Sequence, residues 1–92
     1  MNIKEFTESA IALYVEKGGT VHPDITLDIF RLIENNESLL SDYKALKEHY
    51  VEVNPTIGKS IREHFNLRND KSIEVAGRCS LIKNYMRFHK KK

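Results

Sequence analysis

Apolar residues recur at three- and four-residue spacing through most of the chain. Ile3, Phe6, Ala10, Leu13 and Tyr14 fall on one face at about 100° per residue, with Lys4, Glu5, Glu8, Ser9 and Glu16 on the other, which predicts an amphipathic first helix. Asn2 with Glu5 forms the Asn-x-x-Glu pattern that satisfies backbone donors at a helix start, and Gly18-Gly19 supplies the left-handed residue that ends one. After a connector around Pro23, Ile25, Leu27, Ile29, Phe30, Leu32 and Ile33 cover more than half of a second helix, which runs to about Glu34 and is expected to be the most buried element. Leu39, Tyr43, Leu46 and Tyr50 give a third helix over about 37–50, with Lys44, Lys47 and Glu48 turned away.

Asn54 as cap and Pro55 as first helical residue predict a fourth helix with the buried stripe Ile57, Ile61 and Phe65. Gly58 interrupts its interior at a cost of about 1 kcal/mol relative to Ala, which implies close approach of another helix or of a ligand, helix packing being the more frequent cause. From Arg68 to Cys79 the pattern weakens to a short alternation through Ser72, Ile73, Glu74 and Val75, a candidate strand with Val51 to Val53 or Thr20-Val21 as partners. A last helix from about Ser80, with Leu81, Tyr85 and Phe88 inward, frays into a basic tail at 89–92.

The expected fold is therefore mainly α: a compact bundle of four to five short helices with room for one two-stranded pairing, in a single domain over 1–92. The expected core contains Phe6, Leu13, Ile29, Phe30, Ile33, Tyr43, Leu46, Ile61, Phe65 and Tyr85. At 40% hydrophobic and 30% charged the chain is apolar enough to fold, and no run approaches the roughly 20 apolar residues of a membrane span. With the single Cys79 and no leader-like start, this reads as a cytoplasmic protein that does not associate with membranes.

Chemistry by these residues is limited. His22, His49, His64 and His89 stand singly with no helical ligand spacing, so no metal site and no cofactor is expected. Gly58-Lys59-Ser60 matches only the end of a phosphate-binding loop motif, and Val53 stands where that motif needs its first glycine. Arg78 and a following helix start would lower the thiol pKa of Cys79, but a plain buried side chain is the simpler reading. The chain is not expected to be an enzyme.

Charge changes the picture more. Residues 1–53 carry five Lys and Arg against ten Asp and Glu, and residues 54–92 carry ten against three. The basic half therefore suits a polyanion or an acidic partner, although complementary halves of one fold would look the same. Lys59, Arg62 and Asn66 cluster opposite the buried stripe of the fourth helix, while Lys83, Arg87 and Lys90 form a stripe on the last helix and Arg78 lies just before it. The third and fourth helices would make a helix-turn-helix-like pair that presents Lys59, Arg62 and Asn66 to a DNA major groove, with Glu63 beside them arguing for a merely solvated face. DNA or RNA is the first expected partner. The alternative is a protein partner or self-association as a homo-oligomer, through apolar residues left over such as Ile11, Val15, Leu40 and Met86.

The run Asn54-Pro55-Thr56-Ile57-Gly58-Lys59-Ser60-Ile61-Arg62, with Phe65, Leu67 and Asn69 and then Ser80-Leu81-Ile82-Lys83-Asn84-Tyr85, resembles the C-terminal half of small uncharacterised proteins of bacterial mobile elements and phages. The resemblance implies a bacterial accessory or phage-borne origin, and no activity or binding residue.

Overall fold

The computed structural model describes residues 1–89. Four helices are followed by a hairpin: α1 (Ile3–Glu16), α2 (Ile25–Glu34), α3 (Glu37–His49), α4 (Val53–Phe65), β1 (Asn69–Glu74) and β2 (Asn84–Phe88). The expected mainly helical fold with one short pairing is the fold found.

Local chemistry sets the ends of the helices. Asn2 and Glu5 form a reciprocal capping box, in which the Glu5 N–H donates to Asn2 Oδ1 (2.8 Å) and the Asn2 N–H to Glu5 Oε1 (3.2 Å). At the other end Gly18 takes φ 87°, and the Gly18 and Gly19 N–H groups close back on the Val15 and Tyr14 carbonyls. The Tyr14 ring then lies so close over Gly19 that any Cβ there would sit 2.5 Å from it. Asn36 caps α3 by accepting from the Leu39 N–H (2.9 Å). One apolar cluster runs through all four helices and the hairpin, with Phe6, Phe30, Ile57, Ile61 and Phe88 among its most deeply buried members. Leu13 and Phe65, expected inside it, are only partly buried at its margin.

Two expectations need correction. First, α4 begins at Val53 with Glu52 as its cap, so Asn54 and Pro55 lie in the first turn. Pro55 still loses no hydrogen bond there, because the first-turn N–H groups have no partner within the helix. Asn54 is thereby released from capping to bridge three parts of the fold. The Tyr43 hydroxyl of α3 donates to its Oδ1 (2.5 Å), and its Nδ2 donates to the Leu81 carbonyl (3.0 Å).

Second, the segment from Ser80 is no helix. Asn84–Phe88 is the strand that pairs with Asn69–Glu74, antiparallel, with Ile73 opposite Tyr85 and Ser72 opposite Met86, and with an irregularity between Asn69 and Ser72. Neither Val51 to Val53 nor Thr20-Val21 is the partner. Leu81, Tyr85 and Phe88 fit a helical stripe, but a run this short does not decide between periods, and the unpaired edge of β1 decides it. His89, expected in the frayed tail, is tied in by its N–H to the Arg68 carbonyl (2.9 Å).

The hairpin is fastened at both ends of α2. At the start, the Tyr85 hydroxyl donates to Asp24 Oδ1 (2.7 Å) and the Phe88 N–H to the Pro23 carbonyl (3.0 Å). At the end, Glu34 Oε2 accepts from the Ser80 N–H (2.6 Å) and the Ser80 hydroxyl, with the Cys79 thiol at 3.7 Å. Asn54 adds the third fastening, from α4. Replacing Asn54 by Ala leaves the Tyr43 hydroxyl and the Leu81 carbonyl only their long contact with each other (3.4 Å) in a half-buried place, and denaturant unfolding is expected to show a loss of about 1–3 kcal/mol. A loss below about 0.5 kcal/mol would mean that the bridge does not hold the hairpin.

Candidate functional site

With the hairpin fastened in this way, a cleft of about 620 Å³ is left between α4 and the strands. One wall is α4, through Asn54, Pro55, Gly58, Lys59 and Arg62; the other is the hairpin and its approach, through Ser72, Ile82, Lys83, Asn84 and Met86. Thr26, Phe30, Tyr85 and Phe88, all buried, lie at its base, and Lys47 reaches it from α3.

Among the described residues four cations, Lys47, Lys59, Arg62 and Lys83, line this cleft and no Asp or Glu does. None of the four forms a salt bridge among the described residues. A concave, low-dielectric wall carrying charge of one sign concentrates its field on whatever enters, so the cleft suits an anion with a flat apolar part.

The residues expected to bind divide accordingly. Lys59, Arg62 and Lys83 come together in the cleft, from two elements distant in sequence. Asn66, expected on the same helical face, instead ends α4 in the left-handed conformation (φ 54°), where the Leu67 N–H donates to the Arg62 carbonyl (2.9 Å). Arg78 is turned onto its own loop, its Nε donating to the Val75 carbonyl (2.9 Å). Arg87 lies on the alternate side of β2 from Met86, with Nε 3.4 Å from Asp24 Oδ1, an ion pair whose alignment falls short of a hydrogen bond. Lys83 and Arg87 thus share no stripe of a last helix, because Lys83 precedes β2 and lines the cleft while Arg87 lies within β2 and pairs with Asp24. Lys90 lies outside the described residues.

The helix-turn-helix-like arrangement is not formed either. α4 packs chiefly on α1, and α3 on α2 and α1. The basic face of α4 looks into a cleft with the hairpin opposite, whereas a recognition helix must stand clear to fill a major groove about 12 Å wide.

Lys47 and Asn54 are cleft residues that the sequence reading did not select. Lys47 looked like any outward lysine on its helix, and Asn54 like a cap. Of the apolar residues expected to be left over, Ile11 is buried and Leu40 partly so, while Val15 and Met86 are exposed. The most exposed apolar corner is Tyr50-Val51, where Val51 is 97% exposed.

Elsewhere the titratable groups are arranged for structure. Burial raises the Tyr43 and Tyr85 hydroxyls above the ordinary tyrosine range, with Asp24 adding to the effect at Tyr85, so both remain protonated donors. Burial also raises the Cys79 thiol, and the Ser80 hydroxyl and N–H hold Glu34 below the ordinary carboxylate range. A protonated thiol beside a weakly basic carboxylate is a clasp rather than a nucleophile with its base. Among the described residues no group of three or more His, Cys, Asp or Glu could hold a metal ion, and no helix is long and apolar enough to cross a membrane.

No family model matches the chain, and no curated protein or solved structure matches it. The cleft has to be read from its own chemistry.

The assignment of Asn66 has a direct check. Thermal unfolding is expected to show Asn66→Gly at or above wild-type stability and Asn66→Ala lower by about 1–2 kcal/mol, because only the alanine strains the left-handed position. Equal effects of the two would return Asn66 to a role other than ending the helix.

Proposed function

We propose that the protein is a small nucleic-acid-binding module that holds a single strand in the cleft between α4 and the hairpin. One observation carries this reading: among the described residues, four cations without salt bridges and no Asp or Glu line a cleft with an apolar base. Phosphates of a flexible strand reach such a cleft with their bases turned inward, whereas a duplex is a convex cylinder and meets only its rim. Lys59 and Arg62 on one wall and Lys83 on the other are placed to take successive phosphates, and Lys47 to take one at the mouth. Arg78 and Arg87 have structural partners and stand outside this set.

A second reading, association with a protein or with another copy of the chain, is favoured by the bare Tyr50-Val51 corner between α3 and α4. It uses a different surface, so one series of measurements separates the two.

Titration of the chain with single-stranded DNA, RNA and duplex at about 50 mM salt is expected to show the single strands bound more tightly. The affinity should fall with salt at a log-log slope of about −0.7 per phosphate, so roughly −2 to −3 for three to four contacts. Lys59→Ala, Arg62→Ala or Lys83→Ala should each flatten the slope by about 0.7, and Arg78→Ala should not. Preference for duplex, or equal effects of all four variants, contradicts the cleft. If nothing binds and the chain sediments as an oligomer that Val51→Glu disperses, the α3–α4 corner is the functional surface instead.

A further inference from the structure

Gly58 has no structural reason to be glycine. It lies inside α4, and the glycines with positive φ are Gly18 and Gly77, so the backbone does not require it. Nor does packing, since a Cβ built at Gly58 would meet nothing within 4 Å. Gly19 shows what a packing requirement looks like, with the Tyr14 ring 2.5 Å away. The close helix approach expected from the sequence is therefore not the explanation, while a glycine inside a helix still costs helix stability. What remains is the cleft, whose wall Gly58 forms between Asn54 and Arg62.

Thr26, at the base of the same cleft and 2% exposed, supplies a second and independent observation. The hydroxyls of Thr7 and Thr56 each donate to the carbonyl four residues back, at 2.8 and 2.7 Å. The Thr26 hydroxyl is buried with no partner among the described residues. Buried hydroxyls are rarely left so, and a polar ligand edge is one way to pair them.

We propose that the bare backbone at Gly58 keeps open a slot for one unpaired nucleobase, its edge toward Thr26, while the flanking phosphates lie on Lys59, Arg62 and Lys83. This rests on the nucleic-acid reading above and adds to it that the cleft senses a base as well as charge. Phosphate contacts alone position a strand without reading it, and a base slot makes the module selective for strands whose bases are free to turn in. A paired base cannot enter, because its edge is already occupied and its ring stacked.

The test compares two probes of equal length and charge, an oligothymidylate and the same strand built of abasic residues, with wild type, Gly58→Ala and Gly58→Leu. Wild type is expected to bind the base-bearing strand at least about tenfold more tightly than the abasic one, the size of effect a single held base produces. Gly58→Leu fills the slot and should abolish that difference. Gly58→Ala should raise the melting temperature by roughly 4–8 °C, which shows that glycine is not there for stability. Equal binding of both strands by wild type overturns the slot and leaves the phosphate-binding reading standing. So does a tenfold preference that survives Gly58→Leu. If wild type binds neither strand, the nucleic-acid reading falls and the slot with it.

Discussion

A two-stranded sheet in water is marginal by itself, and this one persists only through what it touches beneath. Val75, Ile82, Tyr85 and Phe88 enter the helical core, and three polar fastenings fix their angle of entry. Asp24 and the Pro23 carbonyl hold β2 at the start of α2, Glu34 holds the Cys79-Ser80 turn at its end, and Asn54 ties the Leu81 carbonyl to α3 and α4. The apolar contacts supply most of the energy, because each polar bond is worth only about 0.5–1.5 kcal/mol net. The polar bonds supply position. A hairpin lying flat on α4 would close the cleft, and one set further out would separate Lys83 from Lys59 and Arg62.

The same fastenings explain how the charge asymmetry of the chain is divided. Carboxylates of the acidic half are engaged within the fold: Asp24 with Tyr85 and Arg87, Asp28 with His22 at 2.6 Å, and Glu34 with Ser80. Two arginines of the basic half are engaged as well, Arg87 by Asp24 and Arg78 by the carbonyls of its own turn. Complementary halves therefore account for part of the asymmetry. The cations left over are not scattered, since Lys59, Arg62 and Lys83 meet on one cleft and Lys47 joins them from the acidic half. A side chain already held in a salt bridge contributes less to a ligand, and none of these four is so held among the described residues, Lys47 standing 6.0 Å from the centroid of the Tyr43 ring.

The helices were legible because each has a long period, and the first has end signals of its own. Asn2 with Glu5 and Gly18-Gly19 act locally, and local rules read from sequence survive into the fold. The last segment was misread because Tyr85 and Phe88, three apart and both buried, follow helical spacing and not the alternation of a strand. Its structure is decided by β1, by Asp24 and by the Pro23 carbonyl, none of which is near it in sequence. The candidate site followed the same division. Lys59 and Arg62 were found because they lie on one helical face, and Lys83 was found for a helical reason that does not hold. Asn66 and Arg87 were misassigned because a left-handed helix end and a strand pairing redirect them. Lys47, Thr26 and the role of Gly58 depend on where the hairpin sits, and no spacing along the chain encodes that.

The central claim is that the hairpin and α4 form one binding surface, and an amide chemical-shift map of the ¹⁵N-labelled chain titrated with a short single-stranded oligonucleotide tests it most directly. The account predicts the largest shifts along both walls together, at Gly58, Lys59 and Arg62 on α4 and at Lys83, Asn84 and Met86 on the hairpin, with Asn66, Arg78 and the exposed face of α1 little changed. Shifts confined to one wall, or centred on Tyr50-Val51, would contradict it.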